Sequence, residues 1–202
     1  MAVMPEKPFL GQSLRLLLAP VAWAALNAGA PPLVFTPIEP RFEDSAEAYR
    51  ALWEAEGARI AAALEAHAGV EFPPAPIEVL LRDGPPMTAY DGRTIRMRAG
   101  YRPLVWRATF VHELGHRLAL TLGRTADLDD HRLLYLFLYD ALTDLYGQNF
   151  ADRVVRMERG IPGAYDYDAA WTWALAMTRE ERQARLRALR PALGYQSVAL
   201  QR

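Results

Sequence analysis

Cysteine is absent from the 202 residues. That removes disulfides, thiolate metal sites and thiol catalysis together, so any metal has to be held by His, Asp or Glu. Lysine is nearly absent: Lys7 is the only one among 23 basic residues, a compositional bias rather than a site. An excess of charge of either sign is missing too. The formal net charge is −1, with no basic stripe for nucleic acid and no acidic tail for a basic partner. The longest apolar run, Leu14 to Ala30, is short for a membrane span and is interrupted by Pro20. What is present suits a globular chain. Apolar residues make up 51% and charged residues 23%, enough for a real core in one domain, with or without an appendage.

The chain divides into residues 1–30 and 31–202. The first stretch is apolar, with Lys7 and Arg15 upstream and Ala28-Gly29-Ala30 downstream, which is the layout of a secretory signal. Glu6 in the would-be basic region, Pro20 within the apolar run and Pro31 after the would-be cut at Ala30 weigh against a signal, while an earlier cut after Ala24 is open. The alternative is a helix packed on the domain, so cytoplasmic and exported locations both stand. Beyond it, Leu33–Ile38 reads as a short edge strand. A long alanine-rich helix follows, capped by Asp44 or Ser45 and ending at Gly69. His67, at its C-terminal end, is expected on the surface, where the helix dipole favours it. Ile77–Leu81 is a second strand. Asp91-Gly92 between two extended runs predicts a type I′ hairpin whose second arm, Arg93–Arg98, has one apolar and one basic face. Pro103 opens the next helix.

Only four histidines occur: His67, His112, His116 and His131. Two of them fall in His112-Glu113-Leu114-Gly115-His116. Histidines four apart on a helix differ by only ~40° of rotation, so both rings leave one face. Each can give a nitrogen to a tetrahedral zinc ion at ~2.0–2.1 Å. Glu113 points nearby without being a ligand and can take a proton from an attacking water. Three polar groups in an apolar run would cost several kcal/mol if buried unpaired.

This stretch resembles the active-site helix of the zincin metallopeptidases, in the variant that reads HELGH. The resemblance covers the motif helix and its immediate neighbours. It implies an α+β, zincin-like domain in which a small β-sheet with a hairpin packs on the HExxH helix, followed by a helical C-terminal half. It also implies one zinc ion per chain and hydrolysis of peptide bonds in a peptide or protein substrate. An extended substrate would pair with the sheet edge along Arg93–Arg98, although edge arginines also serve simply to protect a strand.

A catalytic zinc usually has three protein ligands and one open position. Leu122 stands where HExxHxxGxxH would put a histidine, so that branch is excluded. The next helix, Asp130–Tyr146, is capped by Asp127 or Asp129. It carries Asp140 and Asp144 one turn apart on one face, and carboxylates in so apolar a helix need a metal, an arginine or a histidine as partner. In the gluzincin branch a glutamate on a later helix completes the ligand set, and an aspartate four residues on orients the first histidine. That resemblance implies Asp140 as the third metal ligand, with aspartate in place of glutamate, and Asp144 as the acceptor of the far N–H of His112. Glu158, His131 and Asp144 itself are the other candidates for the third position. His131, in the first turn of its helix and nearly opposite the Asp140 face, is expected to face solvent.

A helix follows to Arg159, then one capped by Asp168. A last, charged helix opens on the capping box Thr178–Glu181. Tyr165 and Tyr167, with Tyr135, Tyr139 and Tyr146, are candidates to stabilise an oxyanion. The function this implies is zinc-dependent peptide hydrolysis with Glu113 as general base. The alternatives are a binding module that keeps the metal helix without turnover, or a regulatory peptidase with one protein substrate.

Overall fold

The computed structural model describes residues 29–123 and 128–192. The apolar N-terminal segment up to residue 28, with its possible cut after Ala24, and Asp127 lie outside the described residues. Four strands and six α-helices are found among the described residues. They run in the order β1 (Leu33–Pro37), α1 (Glu43–Ala68), β2 (Ile77–Arg82), β3 (Met87–Thr88), β4 (Thr94–Arg98), α2 (Pro103–Ala119), α3 (Asp130–Tyr146), α4 (Gln148–Arg159), α5 (Tyr167–Leu175) and α6 (Arg179–Ala192). The class is α+β, with a small mixed sheet and a helical C-terminal half. Among the described residues no helix is long and apolar enough to cross a membrane.

The sheet order is β1-β2-β4-β3. The first three strands are parallel and β3 runs antiparallel to β4. Alternation decides its faces: Ile77, Val79 and Leu81 of β2 and Ile95 and Met97 of β4 are buried, while Glu78 and Arg98 are exposed. Parallel pairing of β1 with β2 needs a crossover, which α1 supplies. Phe110 of α2 joins sheet and helices. Its ring lies 5.4–6.0 Å from those of Phe35 on β1 and Tyr49 and Trp53 on α1. The motif helix is thus anchored through the core by the face opposite its polar residues.

Several local expectations are met. Gly69 ends α1 at a left-handed φ of 66°, and Pro103 starts α2. Asp129 caps α3 by accepting from the Arg132 N–H. Thr178 and Glu181 bond reciprocally at the start of α6. Others are corrected. α1 begins at Glu43 after a 3₁₀ turn, with no side-chain cap from Asp44 or Ser45. Asp166, not Asp168, caps α5.

The hairpin forms, but not around a two-residue type I′ turn, which needs positive φ at both central residues. Among the described residues only glycines have positive φ. Instead, the Gly92 N–H donates to the Ala89 carbonyl, and Gly92 (φ 66°) reverses the chain into Arg93. Arg93–Arg98 is also no edge. β4 lies between β2 and β3, so the free edges are β1 and the two-residue β3.

Candidate metal centre

α2 presents His112, Glu113 and His116 on the side away from Phe110. His112 and Glu113 are buried and His116 is half-buried. His112 Nε2 and His116 Nε2 are 3.0 Å apart. Two nitrogens sharing a tetrahedral ion at ~2.0–2.1 Å would stand about 3.3 Å apart, so the helix alone brings two donors to a spacing a metal can use.

The third donor is His131. Ligand atoms of His112, His116 and His131 all lie within 4.8 Å of one another. The His131 ring is 4.7 Å from that of His116 and 5.5 Å from that of His112, centroid to centroid. Packing of α3 on α2 brings it there. Gly115 faces Leu134, one helical turn beyond His131, and a β-carbon on residue 115 would come within 2.5 Å of Leu134 Cδ1. Glycine therefore permits the close approach of the two helices that carries the first turn of α3 over the histidine pair.

Asp140 is consequently not in the site. It lies nine residues after His131, a rotation of about 180° in excess of whole turns, so only one of the two can face α2. The structure turns Asp140 toward α6. Arg182 Nη2 and Nε donate to its Oδ1 and Oδ2 at 2.7 and 3.0 Å, and Arg179 Nε donates to Oδ1 at 3.3 Å. Asp144 does not touch His112 either. It accepts from Arg179 Nη2 at 2.6 Å and pairs with His67 Nε2 at 2.7 Å. Asp140 is buried and finds the arginine partners that buried charge requires, Asp144 is exposed, and together they tie α6 and the end of α1 to α3. His67 is buried by the same contact rather than sitting on the surface.

The group that orients His112 is Glu158 of α4. His112 Nδ1 and Glu158 Oε1 are 2.9 Å apart. Glu158 Oε2 accepts from Tyr135 Oη and Trp171 Nε1, each at 2.9 Å, and those two rings stack at 3.7 Å. Glu158 is 3% exposed, so the charge is carried by three hydrogen bonds rather than by water. A proton on His112 Nδ1 facing this carboxylate leaves Nε2 with its lone pair toward the other histidines, the tautomer a metal ligand needs.

The titration behaviour agrees. Burial lowers His112, but the charge and hydrogen bond of Glu158, with help from Glu113, outweigh it and hold His112 above its ordinary value. Burial raises Glu158, yet His112 and the hydrogen bonds of His112, Tyr135 and Trp171 bring it below the usual carboxylate range. Burial, then repulsion from His112 and His131, holds His116 well down. Burial, then His112, takes His131 to about 4. His116 and His131 are therefore neutral near pH 7, with lone pairs available. Burial raises Glu113, opposed by the charge of His112 and the hydrogen bond from Thr88.

Glu158, one of the candidate third ligands, instead holds the His112 ring through Nδ1. Glu158→Gln removes the charge at constant size. We expect it to weaken binding of a divalent metal ion by about 10–100-fold, read by chelator competition, and unchanged affinity would refute this role. His131, expected to face solvent, is instead half-buried beside the histidine pair, because the packing of α3 on α2 carries its ring inward. Thr88, whose hydroxyl meets Glu113 at 2.7 Å, carried no signal in the sequence.

Of the five candidate tyrosines, four have hydroxyls engaged: Tyr135 with Glu158, Tyr139 with Asp152, Tyr146 with Glu56 and Tyr165 with Asp129. Tyr165 and Tyr167 flank the His131 ring, at centroid distances of 4.4 and 4.9 Å. The Tyr167 hydroxyl has no hydrogen-bond partner among the described residues, and the negative charges of Glu158 and Glu113 add to burial in raising it. Comparison of the chain with protein-family models, with curated proteins and with solved structures finds no match.

Proposed function

We propose that this chain is a zinc-dependent peptidase of the zincin type, with His112, His116 and His131 as metal ligands and Glu113 as general base. The observation that carries the reading is the convergence of three imidazoles, those of His116 and His131 held neutral, beside a buried glutamate. A structural helix would have no reason to gather these four groups from two elements. Zinc suits the donor set, because imidazole nitrogens without thiolates are a common zinc environment, and three protein ligands leave one position open. Held there, the ion would polarise a substrate carbonyl and lower the pKa of water.

The chain's own residues supply the rest. Glu158 fixes the His112 ring. Glu113, whose basicity burial raises, takes the proton of the attacking water and passes it to the leaving amine. Of the five candidate tyrosines, Tyr167 is the one with a hydroxyl left to donate to the oxygen on which charge develops. An extended substrate would add to the free edge of β3, next to Glu113, rather than to β4.

The test is metal stoichiometry of the untagged full chain by elemental mass spectrometry, followed by hydrolysis of a quenched fluorescent peptide mixture. About one zinc per chain and zinc-dependent cleavage are expected. Failure to retain metal after zinc addition and dialysis would sink the proposal.

A further inference from the structure

We infer that Thr88 is a positioning residue that holds Glu113 in place through both protonation states of the proposed cycle; this rests on the peptidase reading above. Thr88 belongs to β3, where it pairs with Ile95 of β4. Its Oγ1 lies 2.7 Å from Glu113 Oε2 and 2.8 Å from the backbone oxygen of the same residue. Among the described residues it is the only hydrogen-bond partner of the Glu113 carboxyl. A glutamate side chain has three rotatable bonds, so a buried one with a single partner takes its direction from that partner.

A threonine hydroxyl has one hydrogen and can also accept. It cannot donate fully to two oxygens at once, so the contact has two settings. When Glu113 is a carboxylate, Thr88 donates to Oε2. As the water oxygen bonds to the carbonyl carbon, the water proton passes to Glu113. The new carboxylic O–H can then donate to Thr88 Oγ1, while Thr88 turns its own hydrogen to the Glu113 backbone oxygen. When the C–N bond breaks, the proton moves from Glu113 to the amine nitrogen and the first setting returns. Thr88 neither gains nor loses a proton, and no heavy atom has to move. Because Thr88 sits on the free edge, the strand on which a substrate would dock also sets the direction of the base.

Three zinc-loaded variants test this: Thr88→Val, nearly isosteric without the hydroxyl; Thr88→Ser, which restores it; and Glu113→Gln. On the quenched peptide mixture Thr88→Val should lower kcat about 10–100-fold with KM within about twofold, and Thr88→Ser should stay within about threefold of wild type. Zinc content should not change. A melting cycle of Thr88→Val, Glu113→Ala and the double variant reads the contact without catalysis. Thr88→Val should lower Tm by about 2–4 °C in the wild-type background and by less than half of that in the Glu113→Ala background.

Equal shifts in both backgrounds would show that the side chains are not coupled and overturn the inference. So would an unchanged kcat, or a raised KM at constant kcat, which would make Thr88 a docking residue. If the wild type is no more active than Glu113→Gln, the peptidase reading fails. The melting cycle then still reports the contact, and the positioning role falls with the reading.

Discussion

Glu113→Gln is expected to lower kcat/KM for peptide hydrolysis by about 10²–10⁴-fold, the usual contribution of a positioned general base, with one zinc still bound per chain. Glutamine keeps the length of the side chain and an oxygen for the Thr88 hydroxyl, so fold and ligands should be untouched. What it loses is the ability to take a proton. The environment makes this the decisive group. Glu113 is 5% exposed, and Glu158 is the other buried carboxyl whose charge acts on His112. Glu158 is committed to His112, Tyr135 and Trp171 and is held ionised by them, so it cannot take over. Parallel measurement of cleavage and of bound zinc separates the outcomes. Loss of both would point to misfolding. Retention of both would mean that Glu113 is not the base and that cleavage, if any, has another origin.

His131→Ala and Asp140→Asn should part company. Loss of a ligand should exceed the 10–100-fold typical of removing a supporting group, so His131→Ala should weaken zinc binding by more than about 100-fold and leave less than one zinc per chain after dialysis. Asp140→Asn should leave metal content per folded chain unchanged. It removes the negative partner of Arg182, in a pair whose side chains are 4% and 5% exposed, and breaking such a pair costs about 3–5 kcal/mol, measurable by urea unfolding. The reverse pattern would restore Asp140 as the ligand. The same titration should be run against pH. In the metal-free chain His112 is held above its ordinary value by Glu158, whereas His116 is well below it and His131 is near 4. As pH falls through the raised range of His112, which lies above the ordinary imidazole value, a proton competes with the metal on His112 alone. Affinity should then drop about tenfold per pH unit, and more steeply below about pH 4 once His131 also binds a proton.

Residue spacing by itself determined the local part of this protein. It placed His112 and His116 on one helical face with Glu113 beside them, gave β4 its apolar face, ended α1 at Gly69 and started α6 at Thr178. Each of these depends on a period of 3.6 or 2, or on one capping side chain, and so on neighbours along the chain. The carboxylates of α3 were legible as needing partners but not as to which. Only the tertiary structure decided that, because a helix with polar groups on opposite faces satisfies the same local pattern however it is rotated. Gly115 lets Leu134 approach α2, and that packing turns His131 inward and leaves Asp140 and Asp144 to Arg182, Arg179 and His67. The His112 support from α4 and the Thr88 clamp from β3 join residues 46 and 25 positions apart. Such contacts follow from how the layers pack, which local periodicity does not encode.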